Sequence, residues 1–256
     1  MQWRICSAII LDRKVYIALD RAKSEIKMAD FGYIKSNYSE LFREISELEE
    51  KYQRKITLVA VTKSGTDEEL LALAEAGVTD IGENRPQELK RRGDLLHSHG
   101  YSPRLHEIGN LQRNKVKLII EDAHLIHSVD SLSLAEEISK QAERLGITTS
   151  VLIEINSAKE ESKGGFAPEE VLDILPRIKA LPALSVRGLM TMGPVVADPE
   201  EMRPYFRLTK SIFDEAMRTL GFDGDGILSM GMSDSYRVAI EEGSTLVRVG
   251  RKLFSR

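Results

Sequence analysis

The sequence predicts a single closed (β/α)8 TIM barrel, with an N-terminal helix completing the outer ring of helices. Three observations carry this. From Lys55 onward, short β-branched runs alternate with helical stretches until eight candidate strands have been passed. The near-regular repeat occupies most of a 256-residue chain, and such a barrel takes about 250 residues. No Gly-x-Gly-x-x-Gly follows the first strand, which counts against the runner-up, a doubly wound open sheet.

The first helix is read from Ile34, Tyr38, Leu41, Ile45 and Leu48, apolar at three- and four-residue intervals with charges between them. It runs to about Arg54. Little chain follows the eighth strand, so this helix is expected to fill the place of an eighth crossover helix. Strands are expected at Ile56–Thr62, Val78–Gly82, Arg104–Ile108, Leu125–Val129, Ser150–Ile155, Val186–Met192, Gly226–Ser229 and Leu246–Val249. Helices are expected between them at Asp67–Ala76, Pro86–His97, Leu111–Ile120, Ser131–Leu145, Pro168–Ala180, Pro199–Leu220 and Ser233–Glu241. Ala167-Pro168-Glu169-Glu170 and Asp198-Pro199-Glu200-Glu201 are helix starts, with proline in the first turn and acids after it. Gly77, Gly146, Gly221 and Gly243 stand just past helices, where a left-handed residue is wanted.

Composition bounds the function. With 36 Lys+Arg against 40 Asp+Glu the net charge is −4, which gives no electrostatic case for nucleic acid. Hydrophobic residues at 42% and charged residues at 30% are those of an ordinary globular chain able to bury a core. No apolar run approaches the roughly 20 residues of a membrane span. The lone Cys6 excludes an internal disulfide framework and a cysteine-rich zinc site, and points to a reducing, cytoplasmic setting. His97, His99, His124 and His127 stand at no recognisable metal spacing, so no metal is expected. Residues 1–27 form an N-terminal extension; their short apolar run is stopped at once by Asp12, Arg13 and Lys14. Met28 is the natural start of the barrel unit, 28–256, and removing the extension is expected to leave thermal stability unchanged.

Chemistry in such a barrel sits at the C-terminal ends of its strands. The first strand ends in Lys63, which reads as a solvated strand-end lysine or, if desolvated, as an amine able to form an imine with an aldehyde. The second ends at Glu83-Asn84 and the third passes through His106, readable as a satisfied barrel histidine or as a catalytic one. Ser229-Met230-Gly231-Met232-Ser233 after strand seven and Arg248-Val249-Gly250-Arg251 after strand eight occupy the standard barrel phosphate position. Met190, Met192, Met230 and Met232 read as barrel filler. Lys159–Gly165 reads as a solvated loop, with Lys163 as a possible second ligand point.

At these residues the chain resembles the pyridoxal 5′-phosphate (PLP) homeostasis protein family, itself similar to the N-terminal barrel of alanine racemase. The stretches that carry the resemblance are Ala60-Val61-Thr62-Lys63, Ile81-Gly82-Glu83-Asn84 and His106-Glu107-Ile108-Gly109-Asn110-Leu111-Gln112-Arg113-Asn114-Lys115. They continue with Ser162-Lys163-Gly164-Gly165, Arg187-Gly188-Leu189-Met190, Leu228–Asp234 and Gly243–Gly250. The resemblance implies the fold-type III arrangement, with PLP held as a Schiff base on Lys63. It also implies that Ser229, Gly250 and the Arg251 amide bind the phosphate with help from Ser233, that Arg248 faces the pyridine nitrogen, and that Asn84 and His106 line the pocket. An arginine there keeps the ring nitrogen unprotonated and weakens the cofactor as an electron sink. Arg85-Pro86, Leu105, Glu107 and Arg251-Lys252 depart from the family pattern.

The implied role is a PLP carrier in intracellular vitamin B6 homeostasis without turnover of its own, a monomer or weak dimer that hands PLP to apo-enzymes. The alternative is a PLP-dependent amino-acid racemase. That needs a second proton-transfer group opposite the lysine, supplied in alanine racemase by a C-terminal β-domain for which this sequence has no counterpart. A Schiff-base aldolase acting without PLP fits poorly, since its lysine stands on a later strand.

Overall fold

The computed structural model describes residues 31–160 and 163–256; the extension at 1–27 lies outside them. A long helix, α1 (Gly32–Tyr52), precedes β1 (Thr57–Val61), α2 (Asp67–Glu75), β2 (Asp80–Glu83), α3 (Pro86–Ser98) and β3 (Arg104–Glu107). Then come α4 (Val116–Ile119), β4 (Ala123–Val129), α5 (Leu132–Leu145), β5 (Thr149–Ile155) and α6 (Val171–Lys179). The chain closes with β6 (Leu184–Thr191), α7 (Arg203–Thr219), β7 (Ile227–Ser229), α8 (Tyr236–Glu241), β8 (Leu246–Val249) and α9 (Arg251–Phe254). The strands form a closed barrel in sequence order, all parallel, sealed by pairs such as Val59 with Arg248 across β1 and β8.

Strand alternation sorts the side chains. Val59, Leu125, Leu152, Met190 and Leu246 meet inside the barrel, while larger apolar clusters fill the space between strands and helices. Met230 is buried in that outer layer, whereas Met232 is 39% exposed and fills nothing. The narrow β7–β8 seam is held by Ser244, whose hydroxyl lies within 3.0 Å of the Leu228, Met230 and Leu246 carbonyls and donates to one at a time. Between β6 and β7 the backbones come so close that a Cβ on Gly188 would lie 1.9 Å from the Ile227 carbonyl oxygen.

The first helix completes the ring as expected. Ile34, Leu41 and Ile45 of α1 pack against Leu70, Leu73, Tyr236, Ile240 and Leu253. Glu44 receives Arg237 at 2.9 Å and also bonds the Tyr236 hydroxyl. Asn37 donates to the carbonyls of Leu253 and Ser255, tying α1 to α9. The glycines at 77, 146, 221 and 243 all take positive φ.

Four helices differ from expectation. Leu111–Ile120 shrinks to a 3-10 turn, Arg113–Lys115, and the single turn of α4. Gln112-Arg113-Asn114-Lys115 offers no apolar face, and packing begins only at Val116 and Ile119. The prolines at 168 and 199 open 3-10 turns rather than α-helix directly. The helix expected from Ser233 starts at Tyr236, because Ser235 closes a turn on Met232: its N–H donates to the Met232 carbonyl and its hydroxyl accepts the Met232 N–H. No helix among the described residues is long and apolar enough to cross a membrane.

Candidate functional site

At the C-terminal mouth of the barrel, alternation along β1 turns Val59 and Val61 inward and sends the Thr62 hydroxyl outward to Glu83. Lys63, next in the inward set, is exposed and has no hydrogen-bond or ion-pair partner among the described residues. Across the mouth stands Arg248, 3% exposed. Its Nη1 donates to Ser229 Oγ and its Nη2 to the Thr191 carbonyl at 3.0 Å; no carboxylate among the described residues pairs with it. Burial pulls its pKa down to about 10 against the pull of Glu154, so it remains a cation at neutral pH.

The two residues flanking the mouth loops are joined separately. Ser233 Oγ accepts the Gly250 N–H at 3.2 Å. A Cβ on Gly250 would lie 2.9 Å from the Val61 carbonyl oxygen, so only glycine lets the strand-eight loop lie this close to β1. The Arg251 side chain is exposed and turns away to pair with Asp234, leaving only its backbone to serve the mouth. Asn84 is half-buried; its carbonyl would lie 2.2 Å from a Cβ on Gly109, so the loops after β2 and β3 touch. Lys163, expected in a solvated loop, is tied down instead, donating to Glu160 at 3.0 Å and to the Gly193 carbonyl at 2.8 Å.

His106 does not line the mouth. It lies inside the barrel, 2% exposed, with Nε2 2.9 Å from Asp80 Oδ1 and Nδ1 2.9 Å from His127 Nε2. His127 Nδ1 in turn lies 3.1 Å from Ser229 Oγ. Asp80 is ionised: burial opposes this, but hydrogen bonds from His106, Arg104 and Thr79 prevail and hold its pKa at about 2. Burial, with His106 and Arg248 nearby, pushes the His127 pKa well down, so that ring is neutral. One proton arrangement satisfies every atom: His106 Nε2–H to Asp80, His127 Nε2–H to His106, Ser229 O–H to His127, Arg248 N–H to Ser229.

Sequence reasoning missed several members of this site. Asp80 and His127 emerge only from cross-barrel proximity, although His127 follows the inward Leu125 by two residues. Glu154, inward on β5 beside Ser150 and Leu152, is raised to about 7 by burial and by Asp130, so it holds a proton near neutrality. Glu107 points to the outer layer, not the mouth. Burial raises it to about 8, and its Oε2 has no partner.

The fold and sequence match known proteins closely. The family model of the alanine racemase N-terminal domain matches residues 36–255. The pyridoxal phosphate homeostasis protein of Aquifex aeolicus is 41% identical over 197 residues, covering 77% of this chain and 85% of that one. A crystal structure from Bifidobacterium adolescentis is 35% identical with a TM-score of 0.80, over 89% of this chain and 96% of that one. PipY of Synechococcus elongatus, solved with PLP bound, is 28% identical with a TM-score of 0.75, over 87% of this chain and all of its own. With a domain match across nearly the whole barrel and a relative this similar along most of its length, the chain belongs to the pyridoxal phosphate homeostasis proteins, within the alanine racemase N-terminal domain family.

Proposed function

We propose that this chain binds PLP reversibly at the C-terminal mouth, with Lys63 as the amine that condenses with its aldehyde, and serves in intracellular PLP homeostasis without turnover of its own. The observation that carries the reading is Arg248, a buried cation at the mouth with a serine and a carbonyl as partners and no carboxylate. Such a group is costly to bury unless something uses it. The donor set fits the cofactor: a free primary amine, a glycine cradle that a Cβ would fill, two serine hydroxyls, and a cation for the ring nitrogen.

When bound, PLP supplies an aldehyde and an electron-accepting ring. Lys63 presents an amine that no protein group competes for. The N–H of Gly250 and the hydroxyls of Ser229 and Ser233 would hold the phosphate, the first by leaving Ser233. Arg248 has no proton to yield, so it keeps the ring nitrogen unprotonated and the ring a weak electron sink. That suits storage and release better than carbanion chemistry. PLP bound in PipY supports the assignment by homology.

The test is the visible spectrum of the purified protein before and after borohydride, beside Lys63→Ala, followed by incubation with L-alanine. A yellow band that borohydride abolishes, an adduct mapped to Lys63, and no racemisation are expected. A protein that stays colourless with added PLP would refute the reading, and turnover of L-alanine would replace it with the racemase.

A further inference from the structure

At the opposite, N-terminal face of the barrel lies a second cavity of about 140 Å³, open to solvent and at the other end of the strands from Lys63. Arg104, His124, Ser150 and Arg187 line it from four neighbouring strands, with Asp80 and Thr57 beside them. Arg187 belongs to the Arg-Gly-Leu-Met stretch that the cofactor site leaves unused. It is half-buried, and its Nε is fully enclosed without a hydrogen-bond partner. Buried donors of this kind are rare in folded chains and call for an explanation. No carboxylate pairs with Arg187 among the described residues. Gly224 packs against its guanidinium, so that a Cβ there would lie 2.9 Å from Nη2.

The acid in the cavity is already spoken for. Asp80 Oδ1 takes His106 at 2.9 Å, and Oδ2 takes Arg104 at 2.6 Å and Thr79 at 2.7 Å. The cavity therefore carries two guanidiniums against one saturated carboxylate, a surplus of one positive charge. The Thr57 and Ser150 hydroxyls have no side-chain partner among the described residues. Burial first, then His106 and Arg104 with a smaller push from Arg187, lowers the His124 pKa against the pull of Asp80.

From this geometry we infer that the basal cavity is a binding site for a small tetrahedral oxyanion, a phosphate or phosphate monoester, held by Arg187, Arg104, His124 and Ser150. The donors approach from strands arranged around a ring rather than as one planar fork, which suits a tetrahedral ligand better than a carboxylate. The cavity takes one such group with a small substituent. An anion here pairs with the Arg187 guanidinium and offsets the surplus charge. The donors proposed here, Arg187, Arg104, His124 and Ser150, are none of the mouth residues, although Asp80 and His106 at the cavity wall are joined to Ser229 through His127.

The test follows the Arg187 Nε–H and His124 ring resonances of the full-length labelled protein, with and without PLP, during titration with inorganic phosphate and separately with glycerol 3-phosphate. Saturable shifts in both resonances that persist with PLP present are expected. Arg187→Gln should weaken binding roughly tenfold or more, the loss of a charge-assisted bond, and should leave PLP binding unchanged. A response to phosphate alone assigns the free ion, and a tighter response to the ester assigns a monoester. Absence of saturable shifts, shifts confined to Ser229, Gly250 and Arg251, or an unaltered affinity in Arg187→Gln would overturn the site. Should that variant fail to fold, the wild-type shift map decides alone.

Discussion

Arg248 donates through Nη1 to the hydroxyl of Ser229, setting an enclosed guanidinium against a serine where a carboxylate would be the ordinary partner. Replacing it with glutamine should weaken PLP retention and orphan the Thr191 carbonyl. The expected stability loss is about 1–3 kcal/mol. Equilibrium dialysis with PLP and urea unfolding check both; unchanged retention would remove Arg248 from the site.

Asp80 makes acid stability specific. Its folded pKa lies below its unfolded value, so its stabilisation is complete above the unfolded pKa of about 4 and is lost as pH falls towards the folded value of about 2. Asp80→Asn should be less stable at neutral pH and should show a flatter acid limb over that window. Thermal melts across the acid range test it, and an unaltered acid limb would count against the ionised Asp80.

Glu107 works in the other direction. A folded pKa of about 8 lies above the unfolded value near 4.3, so stability is complete at low pH and declines as pH rises between the two. Glu107→Gln keeps the acceptor for the Gly109 N–H, bonded at 3.1 Å, and cannot ionise. Its melting temperature should match the wild type near pH 4 and exceed it in alkaline buffer. Parallel melting curves for the two proteins would sink the assignment.

The first helix is structural. Leu41 is 2% exposed in the α1 seam and neighbouring Phe42 is 55% exposed. Leu41→Ala should cost about 2–5 kcal/mol, while Phe42→Ala stays within about 0.5 kcal/mol. Equal losses in chemical denaturation would mean that α1 does not pack as described.

Much of this was legible in the sequence, for physical reasons that differ by element. Strands such as β5 and β8 announce themselves because a barrel strand is enclosed on both faces and is rich in β-branched residues. Lys63, Ser229, Arg248 and Gly250 could be nominated because ends of strands are where a barrel places chemistry, and the family motifs fall there. His106 is the satisfied barrel histidine that one of its two readings offered, but its partners were not foreseen. Its partners, Asp80 and His127, are 26 and 21 residues away, a relation set by barrel closure rather than by spacing. For Arg251 the resemblance implied only the backbone amide, and a sequence cannot show that its side chain turns to Asp234. The helix expected at Leu111–Ile120 failed where polar residues supplied length without a buried face.

The hydrogen bonds from Ser229 down to Asp80 give the barrel axis a direction. Both nitrogens of each imidazole are engaged, so the tautomers interlock and the serine's only proton is committed to His127. An anion arriving at the mouth finds a hydroxyl already facing away from it. For Ser229 to turn its proton outward, His127 must give up a donor in a place without water to replace it. Under the proposed assignment, loading and unloading the mouth would be reciprocal with the state of a ring at the centre of the protein, and a ligand held against that opposition would be one the protein can release.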